Sequence, residues 1–164
     1  MARLHICHTQ QLLVAMHKYL DNIEEVVAVG DSFRLFVRGF SMLPLLGYGR
    51  DNIIIRRTTE QEDIVGRIAM FRTATGHIIV HRVVEVKNGI VTLQGDGNPY
   101  SQERCRRSEI VGVVDAVIRE SGREVSCTTT MWRIRERIWL LQPAIVRRYA
   151  LAIIRRIHRW TGKK

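Results

Sequence analysis

The chain has 164 residues, enough for one domain with a hydrophobic core, and its 46% hydrophobic and 26% charged residues are ordinary for a folded soluble protein. It has no run of about 18 apolar residues, so no transmembrane helix is expected, and its three cysteines fit neither a zinc motif nor a disulfide framework, which favours a reducing compartment. The net charge of +10 lies almost wholly in residues 131–164, which hold ten basic residues and one acidic residue, so an anionic partner is expected for this segment and not for the whole chain.

Residues 9–28 are predicted to form an amphipathic helix, within an N-terminal helical segment of residues 1–28. Thr9 has the side chain of an N-cap. Apolar residues recur at helical spacing after it: Leu12, Leu13, Met16, Leu20, Ile23 and Val27. Polar residues interrupt the first twenty positions, which therefore do not resemble a signal peptide.

Residues 29–127 are predicted to form a β-rich domain. Short runs rich in Val, Ile and Phe, such as NIIIRR, HIIVHRVVEV and GIVTLQG, alternate with turn-forming residues. The pair Asn88-Gly89 lies between two of these runs and is the clearest hairpin turn.

Residues 128–164 return to helical spacing and are predicted to form a basic amphipathic tail, which Pro143 divides or kinks. Apolar residues share one face of its second part: Ile145, Val146, Tyr149, Ile153, Ile157 and Trp160. Arginines lie mainly on the other face: Arg147, Arg148, Arg155, Arg156 and Arg159. The expected fold is therefore mainly β, with an N-terminal helix and C-terminal amphipathic helices.

Ser41 lies among apolar residues, glycines and a proline in the stretch RGFSMLPLLGYG. A serine becomes a useful nucleophile only when a base takes its proton. His77 and His81 lie in a run whose β-branched residues favour a strand, where two rings four residues apart are about 13 Å from each other, so a shared metal ion is not expected. An imidazole is suited to general-base work, and Asp96 in the turn QGDGN is placed in the sequence to orient it.

Five short boxes occur in the order found in the signal peptidase I superfamily, which the chain resembles over about residues 33–118. The box GFSMLP, residues 39–44, resembles the one that holds that family's nucleophilic serine. The other boxes are residues 49–54, 66–71, 81–84 and 95–98, with an apolar strand at 110–114 after them. One box alone would be a weak signal, but five in register are specific.

The resemblance implies a serine peptidase of the Ser/His type. Residue 81, before Arg82, is a histidine, as in the endoplasmic-reticulum, archaeal and sporulation-type members, whereas typical bacterial members and the self-cleaving SOS and phage repressors have a lysine there. Ser41 is then the implied nucleophile and His81 the general base, with Asp96 supporting the site. Backbone N–H groups around Ser41 would stabilise the oxyanion, and the loop residues implied in oxyanion or substrate binding are Gly39, Met42 and Pro44.

The chain departs from the family pattern at several acidic positions. Histidine-type members usually carry a further acidic residue soon after the Gly-Asp-x-Asn turn, and only Glu103 could serve here. The family's second Gly-Asp has become Gly66-Arg67. Taken alone, Glu103 and Asp115 are expected at the surface, His77 is expected to be exposed, and Arg82 is expected to bind a nearby carboxylate.

Three functions are left open. The leading hypothesis is a serine endopeptidase that cleaves a leader or precursor peptide bound beside a strand edge; the resemblance implies small residues before the cut. A self-cleaving regulator is the second, although the chain has neither the Ala-Gly nor the Cys-Gly dipeptide that such repressors cut. The altered acidic positions suggest the third, a peptide-binding module that no longer cuts.

The basic tail, residues 131–164, has three interpretations. It could bind an anionic membrane surface or a membrane-bound partner, pack on the β-domain or a second copy, or bind nucleic acid. Its continuous apolar face disfavours nucleic acid, and the membrane is preferred, with a homodimer left open. The expected location is cytoplasmic, peripheral on the inner face of the membrane, and no cofactor or metal is expected.

Overall fold

The computed structural model describes residues 31–47, 49–73 and 77–161, with side chains described as far as Ile157. The helix predicted for residues 9–28 lies outside this part of the chain, and so does the side chain of Trp160. The described residues form a mainly β protein that ends in two helices, which confirms the predicted fold class.

An antiparallel sheet of eight strands makes up the body of the described chain. In chain order the strands are β1 (Ser32–Phe36), β2 (Asn52–Arg56), β3 (Ile68–Arg72), β4 (Ile78–Lys87), β5 (Ile90–Gly95), β6 (Asn98–Arg106), β7 (Ile110–Ile118) and β8 (Glu124–Ser126). Their order in the sheet is β1-β2-β7-β3-β4-β5-β6, and β8 pairs with β7. Strands β1 and β6 are therefore the two ends of the main path.

Two hydrophobic clusters cover the two faces of this sheet. In β3, Ile68 and Met70 belong to one cluster, and Ala69 and Phe71 belong to the other. Successive side chains of a strand point to opposite faces, so the run IAMF is buried throughout because both faces are covered.

The hairpin predicted at Asn88-Gly89 is confirmed. Both residues have positive φ angles, 51° and 73°, as a two-residue turn of this kind requires. The turn joins β4 to β5, and β5 pairs in turn with β6, so these three strands form a meander. This meander brings together residues that are far apart along the chain.

Two helices follow the sheet: α1 (Thr130–Leu140) and α2 (Ala144–Thr161), with Pro143 between them as predicted. The Thr129 hydroxyl accepts a hydrogen bond from the Trp132 backbone N–H and caps α1. Trp132 is 1% exposed and joins a core cluster, so α1 is anchored in the body. In the described part of the chain, neither helix has the length and apolar character needed to cross a bilayer.

Candidate active site

Ser41 lies in the loop between β1 and β2, where an apolar segment enters the core. Four side chains that follow it are each at most 3% exposed: Met42, Leu43, Leu45 and Leu46. The Leu46 backbone N–H donates to the Met42 carbonyl oxygen at 3.0 Å and tightens the loop. Burial of these side chains fixes the loop to the body, while Ser41 itself stays partly accessible.

The turn between β5 and β6 packs directly against the Ser41 loop. The Gly97 N–H donates to the Ser41 carbonyl oxygen at 2.7 Å. A β-carbon at Gly97 would lie 2.7 Å from the Phe40 carbonyl oxygen, and one at Gly95 would lie 2.7 Å from that of Ser41. Side chains do not tolerate such distances, so glycine at both positions allows the two backbones to approach.

His81 on β4 faces the same small space as Ser41. The point where a β-carbon on Gly95 would lie is 3.2 Å from His81 Nε2 and 3.3 Å from Ser41 Cβ, so these two atoms are at most 6.5 Å apart, the sum of the two distances. No hydrogen bond within the described residues reaches the Ser41 hydroxyl, which is therefore free to turn toward the ring. A hydrogen bond between a nucleophile and its base often forms or tightens only when substrate is bound.

Glu103 contacts the other nitrogen of the same ring. The Nδ1 atom of His81 lies 2.5 Å from Oε2 of Glu103, and His81 is only 6% exposed. Glu103 reaches the ring because its strand, β6, pairs with β5 beside β4. When Nδ1–H donates to this carboxylate, Nε2 on the Ser41 side carries no proton, which is the form a general base needs.

Asp96 lies elsewhere than predicted: within the described residues it bonds Arg82 and not His81. Its Oδ1 and Oδ2 atoms each lie 2.7 Å from a guanidinium nitrogen, and Asp96 and Arg82 are 2% and 5% exposed. Arg82 follows His81 on the strand, so its side chain points to the opposite face. Burial by itself would lower the pKa of Arg82, but the hydrogen bonds and charges of Asp96 and Glu136 outweigh burial and raise it. Asp96 therefore balances a buried charge behind the site, and the prediction that Arg82 binds a carboxylate is confirmed.

Glu103 and Asp115 were expected at the surface, and their side chains are 32% and 33% exposed, but each is bound to a basic side chain. Asp115 accepts from Arg56 Nε at 3.0 Å and from Arg67 Nη2 at 2.8 Å. Glu103 is half-buried on the same face of β6 as Cys105, two residues later, which is buried. That alternation was the signal in the sequence that Glu103 faces inward.

Ser41 and His81 both line an apolar groove with a volume of about 370 Å³. Other residues that line it include Leu35, Phe36, Gly39, Met42, Met70 and Ile79. Gly39 and Met42, two of the three residues predicted to bind the oxyanion or substrate, thus line this groove, whereas Pro44 lines a separate cavity with Asp51 and Arg119. Pro44 supports the loop from behind and does not face the groove.

The C-terminal helices also reach the turn behind Ser41. Trp139 Nε1 donates to the Asp96 carbonyl oxygen at 3.1 Å, and Arg155 donates to the Gly97 carbonyl oxygen at 3.1 Å. Glu136 accepts from Arg82 at 2.8 Å. Two contacts, one from each helix, therefore hold the turn that binds the Ser41 carbonyl, and Glu136 holds Arg82, which binds Asp96 in that turn.

The described residues offer no group of three or more His, Cys, Asp or Glu side chains that could hold a metal ion. Cys105 and Cys127 are buried free thiols. Burial raises the pKa of Cys105 to about 11 and that of Cys127 to about 12, so both are neutral at physiological pH. Neutral thiols are poor nucleophiles and poor metal ligands.

Comparison with known proteins gives one match of wide coverage. The family model described as peptidase S24-like matches residues 2–115, well over half of the chain. It confirms the resemblance to the signal peptidase I superfamily, to which the self-cleaving repressors are related. Comparison with curated proteins finds no match.

Proposed function

This chain belongs to the peptidase S24-like family, and we propose that it is a serine endopeptidase that cleaves a leader or precursor peptide. One observation carries the proposal. The point where a β-carbon on Gly95 would lie is 3.3 Å from Ser41 Cβ and 3.2 Å from His81 Nε2, while His81 Nδ1 contacts Glu103. This is the order of nucleophile, base and orienting carboxylate that activates a serine.

The proposed reaction begins with attack of Ser41 Oγ on the carbonyl carbon of the scissile peptide bond. His81 Nε2 takes the hydroxyl proton, and the Glu103 carboxylate stabilises the imidazolium that forms. His81 then donates that proton to the leaving amine, which departs as the C–N bond breaks. A water molecule, deprotonated by the same nitrogen, hydrolyses the acyl-enzyme ester and restores Ser41.

Backbone N–H groups are the available donors for the oxyanion. The N–H groups of Ser41 and Met42 have no acceptor within the described residues, and both residues line the groove. Donors aimed at the developing negative charge are usually worth more to catalysis than any other single contact.

An extended peptide fits the shape of the site. Among the described residues, strand β1 pairs only with β2 and lies at the end of the sheet path, and its last residues, Leu35 and Phe36, line the groove. A substrate strand added beside β1 would run along the apolar lining to Ser41. The resemblance to the superfamily suggests a small residue before the cleaved bond.

The proposal is tested with an aryl phosphonate probe and a pool of leader-type peptides with a small residue before the cut. The wild-type chain should be labelled on Ser41 and should cleave the pool, and the Ser41→Ala and His81→Ala variants should do neither. Ser121→Ala, a change at an exposed serine, is the matched control and should behave as wild type. Labelling and cleavage that survive both active-site substitutions would refute the assignment.

The same samples separate the two alternatives. A self-cleaving regulator would show a loss of intact mass on incubation without added peptide, and Ser41→Ala would prevent it. A module that only binds peptides would retain a pool member on the wild-type chain but would show no labelling of Ser41. Either result replaces the endopeptidase proposal.

A further inference from the structure

Exposed apolar side chains are concentrated on the two C-terminal helices. Seventeen large apolar side chains are exposed in the described residues, and ten of them lie between residues 131 and 157. Contiguous exposed apolar surface of this kind marks interaction sites in soluble proteins.

These side chains form a solvent-facing stripe on each helix, which we call the apolar stripe. On and just after α1 its members are Met131, Ile134, Ile138 and Leu141. On α2 they are Ile145, Tyr149, Ile153 and Ile157, at every fourth position. All eight are between 46% and 80% exposed in the part of the chain that the structure describes.

A different face of α2 packs on the body. Leu151 is 3% exposed, and Ile154 is half-buried and lines the cavity beside Leu43 and Pro44. On an α-helix, positions 151 and 154 lie nearly opposite to positions 149, 153 and 157, which carry the stripe. The described part of the body therefore does not use the apolar stripe for packing.

Positive charge flanks the stripe. Four exposed arginines of the two helices lie beside it: Arg133, Arg135, Arg137 and Arg148. Arg147 and Arg155 instead lie on the side of α2 that faces the body, where Arg155 donates to the Gly97 carbonyl oxygen. The one acidic residue in the described part of the two helices, Glu136, is bound to Arg82 in the body. An apolar helix face bordered by arginines is the pattern of helices that lie in the interface of a bilayer with anionic headgroups.

A second copy of the chain is a poor fit to the same surface. In a two-fold dimer an identical patch faces itself, so the arginines of one copy would approach those of the other. Anionic lipid fits both the arginines and the apolar side chains, because its headgroups neutralise arginine and its acyl chains contact Ile, Leu and Tyr. We propose that the apolar stripe and its flanking arginines bind the surface of an anionic lipid bilayer.

The test is co-sedimentation of the full-length chain with vesicles of phosphatidylcholine alone or of phosphatidylcholine mixed with phosphatidylglycerol. The chain should pellet with the mixed vesicles and much less with phosphatidylcholine alone, and added salt should weaken binding. The double variant Ile153→Gln, Ile157→Gln should lower the partition coefficient at least about tenfold, since two apolar side chains no longer enter the interface.

Two controls keep the result specific. Val84→Gln with Ile90→Gln changes two side chains of similar exposure, 44% and 43%, on the sheet, and should bind as wild type. Ser41→Ala should also bind as wild type, because lipid binding does not depend on the proposed chemistry. Failure to pellet, equal pelleting with both lipids, or no effect of the Ile153 and Ile157 changes would overturn the proposal. So would a dimer in sedimentation equilibrium that these two changes dissociate, because a second copy would then occupy the stripe.

Discussion

His81 Nδ1 lies 2.5 Å from Oε2 of Glu103, a residue 22 positions later in the chain. The next residue on the strand, Arg82, holds Asp96 on the other face. Two carboxylates near the site therefore have different partners: Glu103 orients the ring, and Asp96 balances a buried guanidinium. Substitution of Glu103 alone separates these two roles.

Glu103→Gln should lower kcat by a factor on the order of 10²–10⁴, with little change in KM or thermal midpoint. The amide of glutamine can donate to Nδ1, and this contact favours the tautomer with its proton on Nε2, where the base must be free. Steady-state kinetics on a cleaved leader-type peptide and a thermal melt measure the effect. Glu85→Gln, a change at an exposed carboxylate on β4, is the matched control. A Glu103→Gln enzyme with wild-type kcat would show that this carboxylate does not orient the base.

Local sequence patterns predicted the fold and two residues of the site, Ser41 and His81, because each of these patterns involves only a few neighbouring residues. Asn88-Gly89 specifies its turn by its own backbone preferences, and the boxes around Ser41 and His81 are contiguous in sequence. The partner of His81 depends instead on strand register. In the pairing of β5 with β6, Leu93 lies opposite Glu103, and the register shifts between Gln94 and Gly95. No local pattern in the sequence reveals that shift.

The packing of the C-terminal tail could also be predicted only in part from the sequence. Its amphipathic spacing was visible in the sequence, but an apolar face can meet a core or face solvent with the same periodicity. The structure buries Trp132 and Leu151 and leaves Tyr149 and Ile153 exposed. Which face of each helix packs on the body depends on how α1 and α2 are placed against the sheet, and tertiary contacts decide that placement.

Asp96→Ala should lower the free energy of unfolding by about 3 kcal/mol, near the lower end of the cost of breaking a buried ion pair. The substitution leaves the guanidinium of Arg82 buried with Glu136 as its remaining carboxylate, which limits the loss. Urea unfolding followed by tryptophan fluorescence measures it. Glu103→Ala should cost less, because that side chain is 32% exposed and solvent can reach it. Equal losses for the two variants would contradict the separate roles.

Cys105 and Cys127 should react slowly with iodoacetamide at pH 8 in the folded protein. Alkylation requires the thiolate, and burial raises the pKa of the two thiols to about 11 and about 12, so most of each stays protonated at that pH. The rate should rise as the pH approaches these values and should rise at once in denaturant. A Cys7→Ser background and peptide mapping assign each label, and fast native labelling at pH 8 would contradict the burial of these thiols.

Gly95→Ala should abolish peptide cleavage and phosphonate labelling while the chain still folds. The added methyl group would lie 3.2 Å from His81 Nε2 and 3.3 Å from Ser41 Cβ, so it occupies the space across which the proton must pass. It would also lie 2.7 Å from the Ser41 carbonyl oxygen, which forces the loop to shift. Gly122→Ala is the control, because its φ of 80° strains an alanine by roughly 1–2 kcal/mol at an open position away from Ser41. Both variants should therefore melt at lower temperature, but at a temperature where both are folded only Gly95→Ala should have lost kcat/KM. Wild-type cleavage by Gly95→Ala would mean that Ser41 and His81 do not act across this point.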